Sequence, residues 1–372
     1  MIQIKELYTP KELKTFVEFP FSLYKNNKYW VPPIIKDEVA SFDPTENPVF
    51  KHAEARYFIA LKDGEIVGRV AAIVNWVEVR DQKIKKMRFG WLDMIDDIEV
   101  TKALLNEVRI IGQSHQLTFM EGPVGFSNLD KVGVLTEGFD HLGTMITWYN
   151  HAYYKDHFEQ LGFTKGKVFL ENKMDFSNIQ PKYFERISTL VEKRYGLRAL
   201  NFKKTADVMP YVNEMFDLFN ESYASLASFV PISDIQKEYF KKKYISFINP
   251  EYIQFVMDKE GKMVAFGITM PSFSTALQKA NGKLFPFGIF HLLRAKKKSK
   301  EIIFYLIGIH PDYQNKGVTS ILFREYHKAF EKNGIETCIR TPELEENTAI
   351  HQLWKNFKPV THKKRCTYLK NI

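Results

Sequence analysis

The sequence predicts an α+β fold in which one unit of mixed strands and helices occurs twice. The first observation is a unit at residues 302–330, where a continuously apolar run precedes a polar loop and an amphipathic helix. The second is a pair of hairpin turns, Asp63-Gly64 and Glu260-Gly261, each flanked by strand-like runs. Their glycines are 197 residues apart, nearly the spacing of two helix-like segments at 158–161 and 354–357. This agreement indicates a duplicated unit.

The first half begins with a helical pattern and continues with strands on both sides of its hairpin. An aromatic, proline-ended stretch at 24–33 predicts a packed loop between the helix and the strands. The expected elements are a helix at 10–18, strands at 57–61, 66–74 and 88–95, a helix at 100–111 and a strand at 117–124.

A polar break that contains a proline, Asp175–Pro181, predicts the boundary between the two copies. It separates an N-terminal half, residues 1–176, from a C-terminal half, residues 182–372. The pattern then begins again. The expected elements are a strand at 197–202, a helix at 208–219, strands at 252–257, 263–270 and 302–309, a helix at 318–330 and a strand at 335–340.

Composition excludes several classes of protein. The chain has 372 residues, of which 45% are hydrophobic and 15% aromatic, so it is not a disordered protein. Two cysteines, Cys338 and Cys366, cannot form a disulfide framework, and with no signal-peptide pattern they indicate a reducing cytosol. No apolar run approaches the roughly 18–20 residues that span a bilayer. The net charge of +9 favours an anionic partner: nucleic acid, lipid or a polyphosphate cofactor.

The polar loop after residue 309 has the position of a phosphate-binding loop. The strand before it should stop near His310, because Pro311 cannot donate to a sheet. The helix after it begins with unpaired N–H groups and a positive dipole end, which suit a phosphate. Neither G-x-x-x-x-G-K-[ST] nor a strand-linked G-x-G-x-x-G occurs, and a simple connecting turn is the alternative. The matching segment Met94–Val100 has carboxylates and no glycine, so we expect one cofactor site.

Gln314 and Gly317 resemble the pyrophosphate loop of the GNAT acyltransferase superfamily, [QR]-x-x-G-x-[GA], whereas Thr319 departs from it. Nearly the whole chain resembles a family of bacterial tandem-GNAT proteins. The motifs that carry this likeness are Trp30–Pro33, Gly122-Pro123, Phe126–Asn128, Glu137–Asp140, Tyr149-Asn150, Tyr153-Tyr154, Leu284–Leu293, Gly308–Val318 and Glu345–Asn347. The resemblance implies two GNAT-like acyl-CoA N-acyltransferase domains, the first degenerate, and a mixed sheet that splays where the pantetheine arm of acyl-CoA lies.

The resemblance also implies acetyl-CoA or another acyl-CoA as co-substrate, held by the C-terminal half. The residues expected to bind it are Ile309, Gln314, Asn315, Lys316, Gly317, Val318, Thr319 and Asn347. An amine that attacks the thioester directly needs no covalent nucleophile, which agrees with the absence of G-x-S-x-G. No His/Glu or Cys/His spacing indicates a metal site.

The general acid and base are open from sequence. Many GNAT proteins have a tyrosine that protonates the departing thiolate at the position of Trp354, whose indole N–H is no general acid near neutral pH. Glu345 and Tyr368 are the candidates that we select. A solvated acidic loop is the alternative for each glutamate of this region. The wider set of nearby tyrosines and glutamates is Tyr305, Tyr313, Glu343 and Glu346.

Polar residues beside glycines and aromatic residues on expected loops of the N-terminal half predict an acceptor pocket shared between the halves. A hydrogen-bonded scaffold for the interface is the alternative. The residues concerned are Phe126, Ser127, Asn128, Glu137 and Asn150.

The segment at 284–300 combines hydrophobic residues, a proline and a glycine with a basic run that follows them. This pattern fits an interfacial segment that meets an anionic membrane or a long-chain substrate. A hydrophobic lid over the acyl pocket, followed by a solvated basic turn, is the alternative.

These observations predict a GNAT-type, acyl-CoA-dependent acyltransferase whose acceptor is the amine of a small molecule or a lipid. Two alternatives are the same chemistry on a long-chain amine at a membrane surface, and a non-catalytic binding or scaffold protein. No nucleic-acid partner is expected, because the basic run is single and no stacking motif accompanies it. We expect a cytoplasmic location, with peripheral contact to the inner membrane face as the alternative.

Overall fold

The computed structural model describes residues 1–127, 129–178, 181–226 and 229–372, and it confirms the predicted α+β class. The helices are α1 (Pro10–Leu23), α2 (Ile35–Ser41), α3 (Ile98–Ser114), α4 (Tyr153–Gln160), α5 (Pro181–Tyr195), α6 (Thr205–Val208), α7 (Val212–Tyr223), α8 (Asp234–Lys243), α9 (Ser274–Ala280), α10 (Gly288–Lys298), α11 (Thr319–Asn333) and α12 (Thr348–Trp354). The strands are β1 (Ile2–Leu7), β2 (Ala53–Lys62), β3 (Glu65–Asn75), β4 (Lys86–Met94), β5 (Phe119–Gly122), β6 (Val134–Glu137), β7 (Thr164–Asp175), β8 (Arg198–Leu200), β9 (Ile253–Met257), β10 (Met263–Pro271), β11 (Glu301–Ile309), β12 (Thr337–Arg340), β13 (Glu343–Leu344) and β14 (Val360–Asn371).

These strands form one 14-stranded sheet that runs through both halves. Its order is β1-β2-β3-β4-β5-β14-β7-β12-β11-β10-β9-β8, with β6 beside β14 and β13 beside β7. Neighbours are antiparallel except for β4 with β5 and β11 with β12, which are parallel. The pattern from β1 to β5 therefore recurs from β8 to β12, as a duplicated unit requires.

The two halves exchange their last strands at the centre of the sheet. β7, from the N-terminal half, pairs with β12, and β14, from the C-terminal half, pairs with β5. The two exchanged strands also pair with each other, from Val360↔Lys173 to Leu369↔Thr164. Each half thus completes the sheet of the other. The sequence did not predict this exchange, and the boundary between residues 176 and 182 stays a prediction.

The sheet opens where its parallel pairs end. β11 pairs with β12 only as far as Phe304↔Arg340, although β11 continues to Ile309. In the N-terminal half β4 pairs with β5 only as far as Arg88↔Glu121. Beyond these points one strand of each pair loses its neighbour, which leaves backbone groups that need other partners.

Helix α11 packs on the C-terminal half with the apolar face that its sequence predicts. Ile321, Leu322, Tyr326 and Phe330 are each at most 3% exposed. Burial of side chains of this size contributes about 1.5–3 kcal/mol apiece. This packing fixes the N-terminus of α11 next to the open end of β11.

Helices α9 and α10 are inserted between β10 and β11 and pack on the N-terminal half. The Gln278 amide donates to the carbonyl oxygen of Trp30 at 2.9 Å, and the Ile35 N–H donates to the carbonyl oxygen of Gly282 at 3.0 Å. In the described part of the chain, no helix is long and apolar enough to cross a membrane.

Candidate functional site

A cavity of about 680 Å³ lies between the halves, where β11 diverges from β12. Its wall comes from the end of β11, the loop into α11, the segment from β12 to α12 and, in the N-terminal half, Val124, Gly125, Ser127 and residues 129–132. The volume is in the usual range of ligand pockets, roughly 300–1,000 Å³.

The predicted phosphate loop lines this cavity. Gly317 has φ of 76°, in the left-handed region where a side chain causes strain, and a Cβ there would lie 3.2 Å from Val191 Cγ2. No described side chain caps the N-terminus of α11. The Ser320 and Ile321 N–H groups of its first turn donate to the Gly317 and Val318 carbonyl oxygens at 3.0 Å, and the positive end of the helix dipole at this terminus suits an anion.

Seven of the eight residues expected to bind the cofactor line the cavity. Lys316 lies outside the wall, with its ammonium 5.4 Å from the ring centroid of Tyr195 and 5.3 Å from that of Tyr313. Tyr313 itself is part of the wall. The seven are Ile309, Gln314, Asn315, Gly317, Val318, Thr319 and Asn347.

Beyond Phe304, backbone carbonyls of β11 accept hydrogen bonds from hydroxyl groups of α7. The Tyr223 hydroxyl donates to the carbonyl oxygen of Ile307 at 3.0 Å, and the Ser222 hydroxyl donates to that of Ile309 at 3.1 Å. Both α7 residues line the cavity, and burial raises the pKa of Tyr223 to about 12. Sequence analysis missed them, because only folding brings Tyr223 to a strand 84 residues further along the chain.

Glu343 is the glutamate of the acidic segment that reaches the cavity wall. Burial raises its pKa to about 7, although Arg340, with Nη1 3.2 Å away, favours the charged form. A carboxyl group that titrates near neutral pH suits a general base. The selected candidate Glu345 is exposed and outside the wall, and its N–H donates to the carbonyl oxygen of Val168 at 2.9 Å.

The structure does not bring Tyr368 to the cavity. Its ring stacks on Phe158 in the core of the N-terminal half, with centroids 4.6 Å apart. Successive side chains of a strand point to opposite faces, so Thr367 reaches the cavity wall while Tyr368 points away. Trp354 does line the cavity, and the Arg340 guanidinium lies 5.0 Å from its ring centroid.

Of the residues expected to form the acceptor pocket, Ser127 lines the cavity. Its hydroxyl and its N–H donate to the Asp130 carboxylate at 3.0 Å and 2.8 Å. Asp130 also lines the cavity, and burial raises the pKa of its carboxyl group. Asn128 lies outside the described residues.

Three of the expected acceptor residues lie outside the cavity wall. Phe126 is buried in an apolar cluster under β3. The Asn150 side chain accepts from the Leu135 N–H at 2.7 Å and donates to the Leu135 carbonyl oxygen at 3.0 Å, which ties a loop to β6. Glu137 forms an ion pair with Lys364 of the exchanged strand β14, at 3.2 Å.

In the N-terminal half, the protein's own side chains occupy the place that corresponds to the end of β11 and the start of α11. At the end of β4, beyond its pairing with β5, the Tyr153 hydroxyl donates to the Met94 carbonyl oxygen at 2.6 Å, and the Met94 N–H donates to the Tyr154 hydroxyl at 3.1 Å. The Asp97 carboxylate caps α3 by accepting the Glu99 N–H at 3.0 Å. A negative charge thus lies at the N-terminus of α3. At the equivalent N-terminus of α11, no described side chain forms a cap.

Charged side chains of β4 and β5 line the cavity, and each cation among them forms an ion pair with a glutamate. Lys86, Arg88 and Glu121 line it, and both cations contact the buried Glu78, each at 2.7 Å. Burial opposes ionisation of Glu78, yet Arg88 and Lys86 hold its pKa below the ordinary value. Among the described residues, no group of histidine, cysteine or acidic side chains could hold a metal ion.

No family model matches the chain. The chain is 25% identical over 376 residues to the protein YghO of Escherichia coli (strain K12), a match that covers 99% of this chain and 95% of the relative. It is 25% identical over 312 residues to a bacterial ceramide synthase of Caulobacter vibrioides (strain NA1000 / CB15N), covering 82% of this chain and 80% of the relative.

Solved structures show which fold this is. A tandem GNAT protein from the clavulanic acid biosynthesis pathway matches 100% of this chain with a TM-score of 0.59 and 9% identity, over 98% of its own length. A GCN5-related N-acetyltransferase from Sphaerobacter thermophilus matches 100% of this chain with a TM-score of 0.51 and 8% identity, over 95% of its own length. The chain has the tandem GNAT fold, as the sequence motifs predicted.

Proposed function

We propose that this protein transfers an acyl group from acyl-coenzyme A to the nitrogen of an amine. The observation that carries the proposal is the uncapped N-terminus of α11, which lines a cavity continuous with the gap between β11 and β12. Such a terminus holds the pyrophosphate of the co-substrate. On the edge of β11 that β12 leaves uncovered, the Ile307 and Ile309 carbonyl oxygens already accept from α7, so the N–H groups of that edge are the ones offered to the pantetheine arm. Gly317 fits this role, because a side chain there would crowd the loop.

In this proposal Glu343 is the general base. It accepts the proton that the amine loses as its nitrogen bonds to the thioester carbonyl carbon, while the carbon–sulfur bond breaks and the sulfur leaves as thiolate. The support is its burial, its place in the cavity wall and a pKa of about 7, which leaves it largely ionised at slightly alkaline pH. The Tyr223 hydroxyl on the same wall already donates its proton to the Ile307 carbonyl oxygen, so in this proposal the thiolate takes its proton from solvent.

We propose a long-chain amine as the acceptor. A ceramide contains an amide between a fatty acid and a long-chain amine, and one relative of this chain is a bacterial ceramide synthase. Further support is the apolar side of the cavity, which a polar acceptor would not need. The apolar residues there are Val124, Leu129, Val132, Ile146 and Leu353.

Calorimetric titration with coenzyme A tests the co-substrate site. We expect one site per chain, and at least tenfold weaker binding in Gly317→Asp, whose carboxylate would repel the pyrophosphate. Gly334→Asp is the matched control, because Gly334 also has positive φ, lies at the other end of α11 and would bring its Cβ within 4 Å of nothing. Absence of binding in the wild type, two equivalent sites, or equal losses in both variants would reject the site.

An assay of free thiol release then tests the reaction. With palmitoyl-CoA as donor, we expect turnover with a long-chain alkylamine and less with a short one. A rate that does not depend on any added amine would contradict acyl transfer to nitrogen, while a preference for short amines would overturn only the proposed acceptor class.

A further inference from the structure

Helix α10 and the turn before it expose four large apolar side chains between positions 285 and 293. The exposed fractions are 75% for Phe285, 70% for Phe287, 64% for Phe290 and 49% for Leu293. Phe290 and Leu293 are three residues apart and share one side of the helix. Clustered exposure of large apolar residues marks a binding surface rather than ordinary surface variation.

The opposite side of α10 is already packed. Leu292 is 7% exposed and lies in an apolar cluster with Val31, Phe273 and Leu277. The exposed phenylalanines are therefore not residues of this apolar cluster that failed to pack. They also lie outside the wall of the cavity, which disagrees with the interpretation of this segment as a lid over the acyl pocket.

A basic end completes this surface, which we call the α10 face: Phe285, Phe287, Phe290, Leu293, Arg294, Lys297 and Lys298. Arg294, Lys297 and Lys298 are exposed, and no acidic residue occurs between positions 281 and 300. An apolar surface beside uncompensated positive charge fits an anionic bilayer. A second copy of the chain fits less well, because a symmetric contact pairs this face with itself and the face has no acidic residue to complement its basic end.

We propose that the α10 face binds the surface of an anionic lipid bilayer and that the protein takes its acceptor amine from that surface. The second part rests on the proposed function. Phe285, Phe287 and Phe290 enter the boundary between headgroups and acyl chains, and the basic end contacts the anionic headgroups.

The fold permits simultaneous contact with a bilayer and with coenzyme A. α10 precedes β11 and the phosphate loop follows it, so they lie at opposite ends of a nine-residue strand about 30 Å long. A wall residue connects the two regions: Ile146 lines the cavity, and its neighbour Met145 packs against the apolar cluster of α9 and α10. A lipid amine can thus approach from the side away from the phosphate loop.

Flotation with vesicles tests the contact. We expect the wild-type protein to float with vesicles of phosphatidylcholine and phosphatidylglycerol, but not with phosphatidylcholine alone. Binding should fall at about 1 M salt, where the Debye length is about 3 Å. The variant with Arg294→Glu, Lys297→Glu and Lys298→Glu should bind at least tenfold more weakly, as should the variant with Phe285→Ser, Phe287→Ser and Phe290→Ser.

A matched control distinguishes binding through the α10 face from a general effect of the net charge of the protein. Lys83→Glu, Lys85→Glu and Lys102→Glu change the net charge equally at three exposed lysines of the N-terminal half, and this variant should bind vesicles like the wild type. An equal loss in this control would overturn the proposal, as would a wild type that ignores anionic vesicles at low salt. Light scattering that shows a dimer dissociated by the α10 substitutions would replace the bilayer with a second copy. Coenzyme A affinity should be unchanged in all three variants, so a failure here leaves the proposed function standing.

Discussion

At the scale of single residues, the environment of Glu343 separates it from its neighbours. Glu343 and Glu345 are two positions apart, yet the side chain of the first is only 11% exposed in the cavity wall and the second residue is exposed. Burial disfavours the carboxylate, and the Arg340 guanidinium only partly compensates, so the pKa of Glu343 rises to about 7. The same residue type at Glu345 has no such environment.

The pH dependence of turnover should report this titration. Because the carboxylate form is the base, kcat/KM should rise with pH through about 7 and level off above it. Glu343→Gln should lower the rate by roughly 10²–10⁴-fold and remove that rise, since amide oxygen is not a base in this range. Coenzyme A affinity should hardly change.

Glu345→Gln is the matched control, with the same chemical change two residues away at an exposed position. It should keep both the rate and the pH profile of the wild type. If Glu343→Gln retained the wild-type profile, Glu343 would lose its role as base, whatever the outcome for coenzyme A binding.

At the scale of elements, α3 and α11 occupy matching positions in the two halves but have different N-termini. Asp97 caps α3 and pairs with Lys62 at 2.8 Å, whereas no side chain in the described part of the chain caps α11. A cap stabilises a helix, so its absence from α11 leaves the terminus less stable alone and open to a ligand. The difference explains why one fold repeated twice supports one proposed co-substrate site.

Substitution of the cap tests this difference. Asp97→Ala should lower the free energy of unfolding by about 1 kcal/mol, and Asp97→Asn by less, because asparagine also caps well. Urea denaturation measures both. Calorimetry should still give one coenzyme A site in Asp97→Ala, because the Tyr153 and Tyr154 hydroxyls continue to occupy the end of β4. A second site in this variant would show that the cap alone had closed the N-terminal half.

At the scale of the whole molecule, the strand exchange joins the halves into one sheet. β14 lies between β5 and β7, so the N-terminal half has no continuous sheet without the last strand of the chain. Buried ions reinforce the junction: Arg365 of β14 contacts Glu171 of β7, and both side chains are 1% exposed. An unpaired ion in this position would cost several kcal/mol.

The effect of a truncation on folding should therefore depend on where the deleted strand lies in the sheet. Removal of residues 360–372 should abolish the cooperative unfolding transition, since it deletes a central strand and leaves Glu171 without its partner. Removal of residues 1–7 should leave a folded protein, since β1 is an edge strand that pairs only with β2. Scanning calorimetry of the intact chain should show one transition, and two well-separated transitions would mean that the halves unfold independently.

The sequence alone determined those features of this protein that short stretches of residues encode. The apolar run of β11, the glycine turn and the amphipathic face of α11 lie within 30 residues, so their periodicity predicted a strand, a loop and a helix correctly. The nearly equal spacing of repeated elements likewise indicated duplication. Seven of the eight residues expected to bind the cofactor line one cavity, because a single local turn positions most of them.

Only the tertiary structure decided which side chains meet across long stretches of chain. Tyr368 pairs in register with Gly122, 246 residues earlier, and this pairing, not its own neighbourhood in sequence, turns its ring into the N-terminal core. The contacts of Tyr223 with β11 and the burial of Glu343 arise in the same way. Periodicity reports which face of an element is apolar, but the pKa of a carboxyl group and the partner of a hydroxyl depend on atoms that folding alone brings near.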